Sequence, residues 1–521
     1  RPPSSTLFPY TTLFRSDGFN EAEPEDGDSD IGTLIAMATN PSALGLTFTT
    51  RLNEKLIISI RAAIYQKIPD PVNQKRELWK RQQMDIPDQV FCAAGNFCKK
   101  RNLVTGLRLT IRGRERDDHC VVTISLSNNH STTGQSEAQD LLCFFQPELI
   151  VRSEEPGKAV FLAHCHGAFG VGDVDREINA LLYRHVPEYA VGHNCAVDWE
   201  AKEGHDATQL QTVIIPSYQI LQLSPDPDSP SVYQQMLFLS EAKAEDLVAG
   251  LNEFLDSYRN WIRARESEIP VLPVAFHAVA DQNINRCHQT AKRIQIGINL
   301  IEQDPLIRRA FQMANRAMLI QRSRIEWIKN RSENRTDNPI LSPNHIWRPF
   351  QLAFILMCLA SISNSHDPDR SMVDLLWFPT GGGKTEAYLG LTAFTLFLRR
   401  LRTRGQPEGY GVTVLMRYTL RLLTLQQFQR AASLIMACET LRRDNLDDLG
   451  EVPVSLGLWV GGGATPNKLE QAQRALEKLI SGEKVLEGNP YQILNCPWCG
   501  TPITPRNYRV GASMSILCPN A

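Results

Sequence analysis

The chain has 521 residues, a formal net charge of −2, 42% hydrophobic residues and 21% charged residues. This is the composition of a globular protein with room for about three domains, and it excludes recruitment of a polyanion by bulk charge, so a nucleic-acid site has to be a local patch. Twelve scattered cysteines are too dilute for a disulfide scaffold, and no apolar run reaches the ~18 residues of a membrane span. We therefore expect a cytoplasmic protein with no membrane partner.

Residues 1–16, RPPSSTLFPYTTLFRS, repeat TLF and carry no amphipathic period. They read as adapter-derived sequence outside the fold. The chain starts with Arg1 and stops at CPNA, inside an unfinished motif, which predicts a piece of a longer protein. Residues 17–31 hold seven carboxylates among Gly, Asn, Ser and Pro and read as a solvated acidic segment.

Over residues 32–235 the signal is β. LGLTFTT, KLIISIRAAIY, VTGLRLTIRG, CVVTISLS, LCFFQPELIV and TVIIPSYQI are short β-branched or aromatic runs, most of them divided by turn residues. They predict a β-rich domain, sandwich-like or mixed, with a helical insert near Asp175–Arg184. HCH at His164–His166 and HNC at His193–Cys195 lack a regular metal-ligand spacing and read as structural residues, as do Cys92, Cys98 and Cys287–His288.

Residues 236–340 turn helical, with apolar residues at three- and four-residue spacing. Arg308, Arg309, Arg316, Arg322, Arg324, Lys329, Arg331 and Arg335 make the later part basic. They form either a solvated helix face or a track for a phosphate backbone. SENRTDNPILSP reads as a linker.

From 341 to 490 apolar runs alternate with helical patterns. VDLLWF, GVTVLM and VSLGLWV predict strands of a parallel sheet with helices on its faces. PTGGGKT, Pro379–Thr385, lies between the first of these runs and a helix, the setting of a phosphate loop. Thr380, Gly381, Gly382 and Gly383 would line ATP, Lys384 would reach the β- and γ-phosphates, and Thr385 would ligate Mg2+. RPFQ places Gln351 about 30 residues upstream, and an amide there can donate to and accept from adenine. This resembles the adenine-reading glutamine of superfamily 2 helicases. PTGGGKT is similar to their first motif. RYTLRLLTLQQF is similar to their motif Ia and points to Arg417, Thr419, Arg421 and Gln426 as DNA contacts. GGG at 461–463 adds Gly462 as a phosphate-approaching loop. The likeness of these motifs to superfamily 2 helicases implies that residues 341–490 are the incomplete first lobe of a RecA-like fold.

Residues 491–521 carry CPWCG and a later Cys518. Cys496 and Cys499, then Cys518, form a truncated zinc-ribbon spacing whose fourth ligand would lie beyond Ala521; a redox CxxC and a chance spacing are the alternatives. The strand-end Asp-Glu pair that holds Mg2+ and activates water in helicases is not found after Thr385, so this chain alone is expected to turn over little ATP.

The order of LCFFQPELIV, YAVGHNCAVDW, RPFQLAF, VDLLWFPTGGGKTEAYLGLTAF, VTVLMRYTLRLLTLQQFQRA, GLWVGGGATPN and NPYQILNCPWCG resembles the DrmA family, helicases of the DISARM antiphage system. The resemblance implies an ATP-dependent DNA helicase or translocase that works with a DrmB partner. A nucleotide-switched DNA-binding platform without helicase activity, and a non-helicase P-loop enzyme such as a kinase, are the rival readings.

Overall fold

A computed structural model describes residues 12–13, 43–71, 77–130, 140–163, 174–202, 204–217, 232–330, 339–377, 382–418, 421–461 and 463–520. The chain forms two compact units, residues 1–220 and 221–521.

The first unit is an antiparallel sheet. Its strands are β1 (Thr12–Leu13), β2 (Ala43–Arg51), β3 (Glu54–Pro69), β4 (Glu77–Gln83), β5 (Gln89–Ala93), β6 (Phe97–Val104), β7 (Leu107–Arg116), β8 (His119–Asn128), β9 (Phe144–Ser153), β10 (Phe161–Leu162), β11 (Ala190–His193), β12 (Ala196–Ala201) and β13 (Ala207–Val213). The main order is β4-β3-β9-β13-β10-β2-β8-β7-β6, with β1 on β9, β5 on β3, β11 on β2 and β12 on β13. Burial alternates without a break along β8, so one face of the sheet carries the core and the other meets solvent. Leu46, Phe48, Leu109, Ile111, Val122, Ile124, Leu149 and Val151 fill that core. VTGLRLTIRG is a hairpin: Gly106, at φ +81°, makes the turn from β6 to β7, and a Cβ there would strike the His130 ring at 2.1 Å. A short helix α1 (Val174–Leu182) follows β10. The acidic segment 17–31 and His164–His166 lie outside the described residues.

The second unit is built on helices α2 (Met236–Glu241), α3 (Ala244–Glu266), α4 (His277–Gln303), α5 (Pro305–Lys329), α6 (Pro349–Ser363), α7 (Lys384–Arg402), α8 (Arg421–Arg443), α9 (Leu446–Leu449) and α10 (Leu469–Ile480). Helix α5 starts where Asp304 Oδ1 accepts from the backbone N–H of Leu306 (2.8 Å) and Ile307 (3.2 Å), with Pro305 in the first turn. Ile307, Phe311, Met318, Leu352, Leu356, Phe394 and Phe397 make its core. Trp347, 1% exposed, plugs that core, and its Nε1 donates to Asn315 Oδ1 at 2.7 Å.

Among the described residues the expected parallel sheet is not present, and VDLLWF, GVTVLM and VSLGLWV form no strand. Val373, Leu375, Val412, Leu415 and Trp459 stand in solvent, Trp459 at 99% exposure. A β-branched run reports only fitness for a pleated surface, and the ladder needs a partner. Here each segment is held to the helices through individual contacts instead of a ladder. Asp374 is gripped by Arg293 Nη1 (2.6 Å) and Nη2 (2.9 Å), and Leu376, Met416, Val454 and Leu456 pack on the helices. The RecA-like lobe expected over 341–490 is thus corrected: its described residues are helices joined by unpaired segments, and the architecture is an antiparallel β unit followed by a helical one.

Candidate phosphate loop and cysteine cluster

Two clusters of chemistry-bearing residues stand out in the second unit. The first is the end of PTGGGKT. Gly383 has φ +88° and ψ 27° and is the N-cap residue of α7, so the chain turns through a left-handed residue directly into a helix start. Lys384 and Thr385 are the first two residues of α7, both half-buried. Backbone N–H groups at such a helix start have no intrahelical partner, and with the helix dipole they favour an anion.

The loop is tied to α6 by two side chains. Arg348 Nη1 donates to Gly382 O at 2.8 Å, and Gln351 Nε2 donates to Gly383 O at 2.7 Å. Gln351 is 4% exposed, and its Oε1 accepts from the Arg348 backbone N–H at 2.8 Å. The helix start that presents Gln351 therefore positions Gly382 and Gly383. A Cβ at residue 383 would lie 2.7 Å from Gln351 Nε2. On the far side, Glu386 of α7 pairs with Arg430 of α8, joining the loop's helix to the motif-Ia-like helix.

Phe378, Pro379, Thr380, Gly381, Thr419 and Gly462 lie outside the described residues. Arg417 is exposed at the end of the unpaired segment before α8; Arg421 opens α8, and Gln426 is exposed on it. The α5 arginines are mostly engaged within the unit. Arg309 pairs with Asp448 at 2.6 Å, Arg316 with Glu241 at 2.5 Å, and Arg308 Nη1 donates to Ile301 O and Glu302 O. Arg331 and Arg335 lie outside the described residues, and among the described ones these arginines form no open cationic track.

The second cluster is Cys496, Cys499 and Cys518, whose Sγ atoms all lie within 4.8 Å of one another. Cys496 and Cys499 sit on a tight turn in which Gly500 N donates to Cys496 O at 2.8 Å and Gly500 takes φ +70°. The hairpin of β14 (Tyr508–Val510) and β15 (Met514–Ile516) leads Cys518 to them, 3.5 Å from Cys499 Sγ. Tetrahedral Zn–S bonds of about 2.3 Å set thiolates about 3.8 Å apart, so the cluster fits a zinc-sized ion. Burial raises the Cys499 thiol, but bonds from Thr501, Cys518 and Cys496 outweigh it and bring the group down to about 7. Arg324 of α5 lies over the Trp498 ring, 3.9 Å from its centroid, seating the cluster on that helix.

No protein-family model matches the chain. Over 400 residues it is 35% identical to the DISARM protein DrmA of Bacillus paralicheniformis, an alignment covering 74% of this chain and 34% of that protein. The chain belongs to the DrmA family. It spans about a third of the length of that curated relative.

In this DrmA-family chain the loop residues were legible from their motif, but three of their supports were not. Arg348, Glu386 and Arg430 act through contacts 34 and 44 positions apart in sequence. The one local signal was that Arg348 opens RPFQ and Glu386 directly follows GKT. HNC at 193–195 is a turn: His193 Nε2 bonds Thr47 Oγ1 at 2.7 Å, Asn194 Nδ2 donates to Ala43 O at 2.8 Å and Cys195 Sγ to Gly45 O at 3.2 Å. Among the described residues, the three cysteines are the sole group placed to hold a metal, and no helix is long and apolar enough to cross a membrane.

Proposed function

We propose that this DrmA-family chain carries the nucleotide-gripping part of an ATP-dependent DNA helicase or translocase that acts in antiphage defence. The observation that carries the reading is the left-handed Gly383 opening a helix on Lys384 and Thr385, with Gln351 fastened to the loop. Lys384 would neutralise the β- and γ-phosphates of ATP, and Thr385 would hold Mg2+. ATP bound there would supply the free energy for a cycle of grip and release on DNA phosphates, with Arg417, Thr419, Arg421, Gln426 and Gly462 on the DNA side. The likeness to a DISARM protein supports the defence role; a DrmB-like partner is proposed from the family resemblance alone.

The test is DNA-stimulated ATP hydrolysis by a protein of the relative's full length. Lys384→Ala is expected to lower it by at least ~100-fold, the scale of losing a preorganised transition-state charge. Undiminished hydrolysis would remove Lys384 from the chemistry. If Lys384→Ala kept both DNA binding and defence, the nucleotide-switched platform would be the better account.

Cys496, Cys499 and Cys518 would hold Zn2+ as a structural ion, supplying three thiolates of a tetrahedral set. The purified chain is expected to contain about one zinc per molecule, measured by mass spectrometry of the metal. Cys499→Ser should lose most of it and melt at lower temperature, because the ion's binding energy is folding energy. Equal zinc content in the two proteins would exclude the site.

A further inference from the structure

We propose that the solvent face of strands β6, β7 and β8 is a docking surface for the phosphate backbone of duplex DNA. The inference deepens the DNA part of the reading above, but it rests on a different unit and on residues outside every motif.

The register fixes which side chains share this face. On β7, Leu107, Leu109 and Ile111 point into the core, so Arg108, Thr110, Arg112, Arg114 and Arg116 project the other way. Their partners on β6 are Asn102, Lys100 and Cys98, opposite Arg108, Thr110 and Arg112. On β8 they face Ser127, Ser125, Thr123, Val121 and His119. Arg112, Arg114, Arg116 and Lys100 are exposed and Arg108 is half-buried.

What separates this stripe from ordinary surface charge is its pairing. Elsewhere on the sheet cations meet acids: Arg61 with Glu148 at 3.1 Å, Arg152 with Asp88 at 3.2 Å, Arg51 with Asp206 at 2.7 Å and Lys158 with Glu54 at 3.1 Å. Among the described residues no carboxylate forms an ion pair with Lys100, Arg108, Arg112, Arg114 or Arg116. Arg108 donates only to neutral amides, to Asn102 Oδ1 at 3.2 Å and, with the Asn129 amide in the orientation that satisfies its neighbours, to Asn129 Oδ1 at 2.9 and 3.0 Å. The near acids are Glu115, on the opposite parity of β7, and Asp117 and Asp118 in the turn beyond Arg116, where Asp118 bonds His119 at 3.0 Å.

Alternate residues on a strand lie about 6.8 Å apart, so the arginines form a regular rail of donors. Hydroxyls of Thr110, Thr123, Ser125 and Ser127 run beside it. Guanidinium and hydroxyl donors are the groups that hold phosphate oxygens. The face bears no Phe, Tyr or Trp on which an unpaired base could stack, which favours a duplex over a single strand.

The test is a salt titration of binding to a fluorescent duplex and to its separate single strand, using the whole chain. Arg112→Ala/Arg114→Ala/Arg116→Ala is expected to weaken duplex binding by at least ~10-fold at low salt. It should also flatten the slope of log K against log salt by about 2.7, or 0.9 per lost phosphate contact. Arg114→Ala alone should flatten it by about 0.9, which keeps the test open if the triple variant folds poorly. Arg61→Ala, on the same sheet but already paired, should leave the slope unchanged. An unchanged slope and affinity in the arginine variants, or a loss confined to the single strand, would overturn the proposal. The ATPase reading is tested on nucleotide hydrolysis and this one on the salt slope of DNA binding without nucleotide, so the failure of one and the failure of the other are told apart.

Discussion

Gly383→Ala will weaken nucleotide binding by at least ~10-fold while leaving the rest of the fold in place. Two independent effects act at this residue. At φ +88° an L-residue pays about 1–2 kcal/mol for the left-handed conformation. The added Cβ would also lie 2.7 Å from Gln351 Nε2 and 3.3 Å from Glu386 Oε2. Either the Gln351 side chain withdraws from Gly383 O or the loop leaves the helix start. In both cases the backbone N–H groups ahead of Lys384 lose their common direction. Strain of about 1.4 kcal/mol corresponds to tenfold in affinity. The measurement is calorimetric titration of the chain with ATP and Mg2+, alongside a thermal melt. Unaltered affinity would mean that Gly383 serves the turn alone.

Trp347→Ala will cost about 3–5 kcal/mol of stability by cavity formation. The loss deepens because Asn315 Oδ1, which accepts from Nε1 at 2.7 Å, is left buried without that donor, a further ~1–3 kcal/mol. The indole also fills the space left by a glycine: a Cβ on Gly390 would meet Trp347 Cη2 at 2.8 Å and Ile355 Cδ1 at 2.9 Å. Trp347 thereby sets the approach of α5, α6 and α7 one residue before Arg348 and four before Gln351. The variant is expected to lower the denaturant midpoint of the second unit and to loosen the phosphate loop with it. Trp347→Phe should recover the packing but not the hydrogen bond. Equal midpoints for Trp347→Ala and the parent would show that this residue does not key the core.

The sequence carried the local rules well and the tertiary ones poorly. Alternation in CVVTISLS and the three- and four-residue spacing around Phe311 and Met318 come from burial of one face, which a single strand or helix records by itself. The cysteine knuckle was legible because a turn of fixed geometry demands CxxC spacing. VDLLWF, GVTVLM and VSLGLWV misled for a physical reason. Their composition suits a strand, but a strand exists only when a neighbour completes the ladder, and Val373 and Trp459 have none among the described residues. Pairing also decided the fate of the charges. The arginines of α5 that read as a possible phosphate track are engaged with Asp448, Glu241 and backbone carbonyls. The arginines of β7 drew no notice in the sequence, and the sheet register aligns them on one face.

The most direct test of the central claim is equilibrium binding of Mg2+-ATP to the parent protein and to Lys384→Ala, measured side by side by calorimetry. The account predicts one site per chain in the parent and at least ~10-fold weaker binding in the variant, because the ammonium and the open helix start act on the same phosphates. Equal affinity and stoichiometry in the two proteins would contradict it, and the GGGKT turn would then be a structural entry to α7 with no nucleotide to hold.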